Sequence, residues 1–70
     1  MALDNLTYNI ITVLHEKSKG LEAYDKYLKD AQGNNEVRQI FEEIRRSDEQ
    51  HIDRLRTALM SNLGQGQRAA

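Results

Sequence analysis

The chain has 70 residues, 10 Lys plus Arg against 11 Asp plus Glu, a formal net charge of -1 and no cysteine. So short a chain is one small domain that buries a modest share of its surface unless disulfides, a metal or a partner help, and disulfides are excluded. The balanced charge lacks the basic excess of a nucleic-acid binder, and no run of about eighteen apolar residues could cross a bilayer.

The first segment, "MALDNLTYNIITVLHEK", has none of the basic start, continuous apolar core and small-residue cleavage site of a signal peptide, so a cytoplasmic, soluble protein is the expectation. From Leu3 to Ala31 apolar residues fall at Leu3, Leu6, Ile10, Val13, Leu14, Leu21, Tyr24, Leu28 and Ala31. Spacing of three and four with no proline predicts one helix over about residues 3–32. His15, Tyr8 and Ile11 fall on its outward side.

In "QGNNE", Gly33 stands where a helix end favours a left-handed residue, and Asn34 or Asn35 where the next helix wants a cap. A tight turn at about 33–35 follows. A second helix is predicted over about 36–63, its stripe running through Val37, Ile40, Phe41, Ile44, Ile52, Leu55, Ala58 and Leu59. "GQGQRAA" has no periodicity and reads as a flexible tail over 64–70. On the outer face, Glu42 and Arg46, like Arg45 and Glu49, are four apart and neutralise one another. Glu42 and Glu49 also dilute the side shared by Arg38, Arg45 and Arg56, so neither nucleic acid nor membrane is expected as a partner.

A turn this short makes the helices antiparallel neighbours, and each apolar stripe, about 100° wide or more, is only partly covered by the other. A second copy would cover the remainder. The predicted fold is therefore all-α: an antiparallel two-helix hairpin, residues 1–63, pairing as a homodimer into a four-helix bundle.

Polar residues interrupt both stripes. Asp48 and His51 flank the centre of the second, and at a spacing of three they share a helical face from which a carboxylate and an imidazole could grip one cation. On the first helix, Lys17 and Gly20 interrupt the stripe. A turn near Gly33 places Lys17 level with Gln50 and His51, and Gly20 level with Ser47 and Asp48. Lys17, Gly20 and Ser47 then form a buried polar layer edged by Tyr27, in which the Lys17 ammonium offers Asp48, of its own or the partner chain, the positive charge that a metal would otherwise supply. A glycine inside a helix costs about 1 kcal/mol relative to alanine, so Gly20 serves close packing or is simply tolerated.

"GLEAYDKYLKDA" followed by "IFEEIRRSDEQHIDRL" resembles one half of a rubrerythrin-type, ferritin-like four-helix bundle, over most of residues 14–59. In that family the first helix carries a metal-binding Glu followed at three, seven and eleven residues by Ala, Tyr and Ala, and the second carries Glu-x-x-His. Ala23, Tyr27 and Ala31 match the later positions, and Asp48 with His51 matches the pair conservatively. The ligand Glu position is occupied by Gly20. The resemblance implies two irons, used for ferrous oxidation or peroxide reduction, only where the carboxylates survive; here Glu16, one turn earlier, is the substitute, making Asp48, His51 and Glu16 the candidate metal ligands. The sequence thus reads as a structural or interaction module with a degenerate metal site rather than an enzyme, with no cofactor expected. The alternatives are an iron- or other divalent-metal-binding ferritin-like protein and a Rop-type RNA-binding hairpin dimer.

Overall fold

The computed structural model describes the backbone of residues 4–69 and side chains through residue 64. It is all-helical: α1 spans Asn5–Glu22, α2 Tyr24–Asp30 and α3 Asn35–Ala69. Helices α1 and α2 continue one another along one limb, and α3 returns antiparallel as the other. A hairpin 55 Å long and 17 by 13 Å across results.

Asp4 sets the start of the first limb. It sits in extended conformation outside α1, and its side chain accepts a 2.6 Å hydrogen bond from the Thr7 N–H, satisfying one of the amides a helix leaves unpaired at its start. The limb then differs from the predicted single helix. Ala23 interrupts it, its N–H donating to the Gly20 carbonyl at 3.2 Å, a bond that spans three residues where an α-helix spans four. Gly20 is the residue whose backbone freedom weakens the helix just before that tightened turn. Four-residue bonding resumes at once, from the Tyr27 N–H to the Ala23 carbonyl.

The turn also departs from expectation. No described glycine has positive φ, so Gly33 is not a left-handed cap. Right-handed turns close the limb instead: the Gln32 N–H donates to the Lys29 carbonyl and the Asn34 N–H to the Ala31 carbonyl. Asn34 then caps α3, its Oδ1 accepting from the Val37 N–H at 3.1 Å. The turn thus occupies 31–34 rather than 33–35.

At the far end, α3 runs to Ala69 where a flexible tail was expected from residue 64. With no proline to remove an amide, each residue added to a formed helix gains a backbone hydrogen bond, and propagation carries the helix past its last apolar residue. Leu3, the predicted start of the first helix, and Ala70 lie outside the described residues.

Packing between the limbs is thin. Among the described residues only Ala31 and Ile52 are buried apolar residues, with Thr7 the buried polar one. Thr7 and Asn62 join the open end, the Asn62 amide donating to the Thr7 hydroxyl at 2.5 Å. At the turn end, Tyr27 lies against Phe41 with ring centroids 6.1 Å apart, and Tyr24 meets Tyr27 edge-on at 5.2 Å. The pair Arg45–Asp25, at 3.7 Å with Asp25 almost fully in water, adds little.

Two measurements test these local assignments. Gly33 already has right-handed backbone, and a Cβ there would meet nothing within 4 Å, so Gly33→Ala should raise unfolding stability by about 0.4–1 kcal/mol in urea titration; a loss would show that the turn needs glycine after all. The Asp4 carboxyl is held below its ordinary value of 3.8, first by the Thr7 N–H and next by the Thr7 side chain. A lowered folded-state value means a contribution complete above pH 3.8 and lost as pH falls through the folded-state value. Asp4→Asn should keep the cap while flattening that acid limb in circular dichroism, and an unchanged acid profile would count against the capping role.

Candidate functional site

The residues from the middle of the hairpin to its open side recur with a seven-residue period on both limbs. On the first, Leu6, Ile10, Val13, Lys17, Gly20, Tyr24, Tyr27 and Ala31 alternate steps of four and three; on α3, Val37, Phe41, Ile44, Asp48, His51, Leu55, Ala58 and Asn62 do the same. This is the pattern by which helices of a bundle present one seam to a shared interior. In the hairpin the seam is only half closed. Leu6, Val13, Tyr27 and Ile44 remain about 40–60% exposed, as does Ile40 beside the seam, and Gly20, His51 and Ala58 are exposed too.

These positions lie along one side of the molecule. One shallow concavity is bounded by Val13, Glu16, Lys17, Gly20, Tyr24 and Asp48, and the next along the same side by Val13, Lys17, His51, Arg54, Leu55 and Ala58. Two helices lying side by side offer each other only one flank, so the other flank of each seam stays in water.

At mid-length the face is crossed by an ion pair. Lys17 Nζ donates to Asp48 Oδ1 at 3.1 Å within the chain. The Asp48 side chain is 17% exposed and that of Lys17 45%, so the carboxylate sits between the limbs while the ammonium reaches it from the open side. Glu16 lines the same concavity as Asp48, and His51 the adjoining one. Gly20 has nothing within 4 Å of the point a Cβ would occupy, so no bulky neighbour of its own chain requires it. Ser47 and Gly20 are exposed and Tyr27 half-exposed: within one chain the polar layer faces water.

The donor set does not fit a divalent ion. Among the described residues, no three His, Cys, Asp or Glu side chains gather to hold a metal. The best-placed carboxylate, Asp48, already faces an ammonium, and Gly20 offers no oxygen where the ferritin-like pattern has Glu. No chemistry through a metal follows from this arrangement.

Two features escaped the sequence reading. The Thr7–Asn62 bond joins positions 55 apart that no local pattern links. The seven-residue period was present in the sequence, but the choice between seams closed by one neighbour and seams needing two depended on how the limbs face each other. Among the described residues no helix is long and apolar enough to cross a membrane. No protein-family model, curated protein or solved structure matches the chain.

The Lys17–Asp48 pair is testable by a double-mutant cycle of Lys17→Met and Asp48→Asn, read by urea unfolding. A partly exposed pair should show coupling of about 0.2–1 kcal/mol. Zero coupling would remove the pair as an organising contact.

Proposed function

We propose that this chain is a structural or interaction module that works as a homodimer, two hairpins closing into a four-helix bundle of the ferritin-like type with a degenerate metal site. The observation that carries this reading is the exposed apolar seam, from Leu6 and Val13 to Tyr27 on one limb and from Ile40 and Ile44 to Ala58 on the other. Surface arithmetic supports it. The chain exposes 5788 Å², whereas a compact monomer of this size exposes about 4,500 Å². Its radius of gyration is 16.1 Å, against about 11 Å for a compact domain of equal length. The excess, about 1,300 Å² per chain, would give two copies a buried total of about 2,600 Å², within the range of obligate homodimers.

The ferritin-like assignment rests on the resemblance of Ala23, Tyr27, Ala31, Asp48 and His51 to that family's pattern, together with the helical hairpin. Degeneracy of the metal site rests on Gly20 and on Lys17 facing Asp48. An ammonium supplies the charge complement that iron supplies in such bundles, so the layer holds its charge without a cofactor.

Sedimentation equilibrium across micromolar concentrations should give twice the chain mass, and Ile44→Lys, at a site exposed in the single chain, should shift the population to monomer. Ferrous iron, zinc and manganese should leave the melting temperature unchanged, because an ion that does not bind the native state cannot stabilise it. A monomer at every concentration would refute the module as a dimer; stoichiometric iron with a large upward shift would replace it by the metal-binding reading. RNA binding with a steep salt dependence would instead favour the Rop-type plan.

A further inference from the structure

Resting on the homodimer reading above, though not on the ferritin-like likeness, we infer that the two-fold axis of the dimer runs along the hairpin. Each limb then lies on the partner's other limb, and the Lys17–Asp48 pairs of the two copies close a ring of four alternating charges. A two-fold axis can cover the open face in one other way, by running across the hairpin and setting each limb, reversed, on its own copy. Neighbouring helices are antiparallel in both arrangements, so their dipoles do not choose between them. The side chains do.

Rotation about an axis parallel to the limbs leaves every residue at its own height. Whatever stands level with a residue across the hairpin therefore stands level with it in the partner, and no register remains free. Lys17–Asp48, Thr7–Asn62 and Tyr27–Phe41 fix those heights. Lys17 comes level with the partner's Asp48 as well as its own, so each of the four charges has an opposite charge on both sides and its like on the far diagonal. The exposures agree, since the Asp48 side chain is 17% exposed between the limbs while that of Lys17, at 45%, approaches from the side the partner would occupy.

An axis across the hairpin at this layer does the opposite. It sets Lys17 beside the partner's Lys17 and Asp48 beside the partner's Asp48, and like charges in contact disfavour an interface. Moving that axis far enough to place Asp48 against the partner's His51 still leaves the two Lys17 within about one turn of each other. A larger shift presses the pair against apolar levels of the seam, stranding its charges.

The other uncovered residues match by the same rule of equal heights. Ile40, half-exposed beside the seam, is next to Phe41 and so level with the partner's half-exposed Tyr27. Gly20 and the exposed Ser47 come level one turn from the ring, two small residues that let the helices approach, and nothing of its own chain lies within 4 Å of a Cβ at Gly20. Arg54, which borders the open side beside Lys17 and His51, falls within three residues of the partner's Glu16, about 4.5 Å along the axis. Glu36 comes level with the partner's Asp30 and Glu43 with the partner's Tyr24; these acids are exposed and stay solvated at the rim.

The chain contains no cysteine, so chains carrying Gly20→Cys and chains carrying Ser47→Cys can be mixed, equilibrated and oxidised. The mixed disulfide should be the main cross-linked product, because these positions face each other between copies. An axis across the hairpin puts them on diagonal helices, beyond the roughly 7 Å between Cα atoms that a disulfide spans. A second measurement leaves the layer untouched: Ser61→Cys gives one spin label per copy on an exposed residue. The labels should lie at one height, under about 25 Å apart, whereas the axis across at Asp48, thirteen residues away, would separate them by about 39 Å. A dimer that gives no mixed disulfide, or a label separation near the longer value, would overturn the arrangement while leaving the homodimer standing. A monomer at all concentrations would overturn both.

Discussion

Two antiparallel helices can each cover only one flank of the other, and that geometric limit governs everything distinctive about this chain. A seam of about 100° or more needs neighbours on two sides, and a hairpin provides one. The consequence is that, among the described residues, the only buried apolar ones are one alanine and one isoleucine, while tyrosines, isoleucines and a valine stand half in water. Such a chain cannot draw much stability from its own interior. Its helices are held by caps, by a few cross-limb contacts and by whatever comes to lie on the open face.

Those contacts are spread along the hairpin. Thr7–Asn62 fixes the open end, Lys17–Asp48 the middle and Tyr27–Phe41 the turn end. Each is modest alone, and the middle one has a second role. Ionic groups on an apolar seam contribute little net stability once desolvated, but they penalise every arrangement that leaves them unmatched. A polar layer at mid-length thereby restricts how the seam may be covered, which is a matter of specificity more than affinity. Lys17 also fills the charge deficit beside Asp48, so the acid and the imidazole at 48 and 51 can persist without a metal to justify them.

Gly20 illustrates how a local weakness acts at two levels. It carries no ligand oxygen and no Cβ contact, and the tightened turn at Ala23 follows directly after it. On the first level it costs the limb its regularity. On the second it thins α1 on the side where the seam is open, the side on which closeness to another helix would be gained.

The sequence by itself determined that the chain is helical, where it reverses and which residues share a face, because helical spacing, an asparagine cap and the absence of proline are local properties. It also placed Lys17 near Asp48, since a short turn fixes the level of one limb against the other. It did not determine the break at Ala23 or the right-handed course of Gly33, which depend on hydrogen bonds that compete within a fraction of a kcal/mol. Nor did it reveal the helical continuation beyond Leu63, where propagation outweighs the lack of apolar contacts. The tertiary structure alone decided which flank of each seam is closed. That depends on the rotation of each helix about its axis, a quantity set by packing at Thr7, Ile52 and Phe41 together and written in no single stretch of residues.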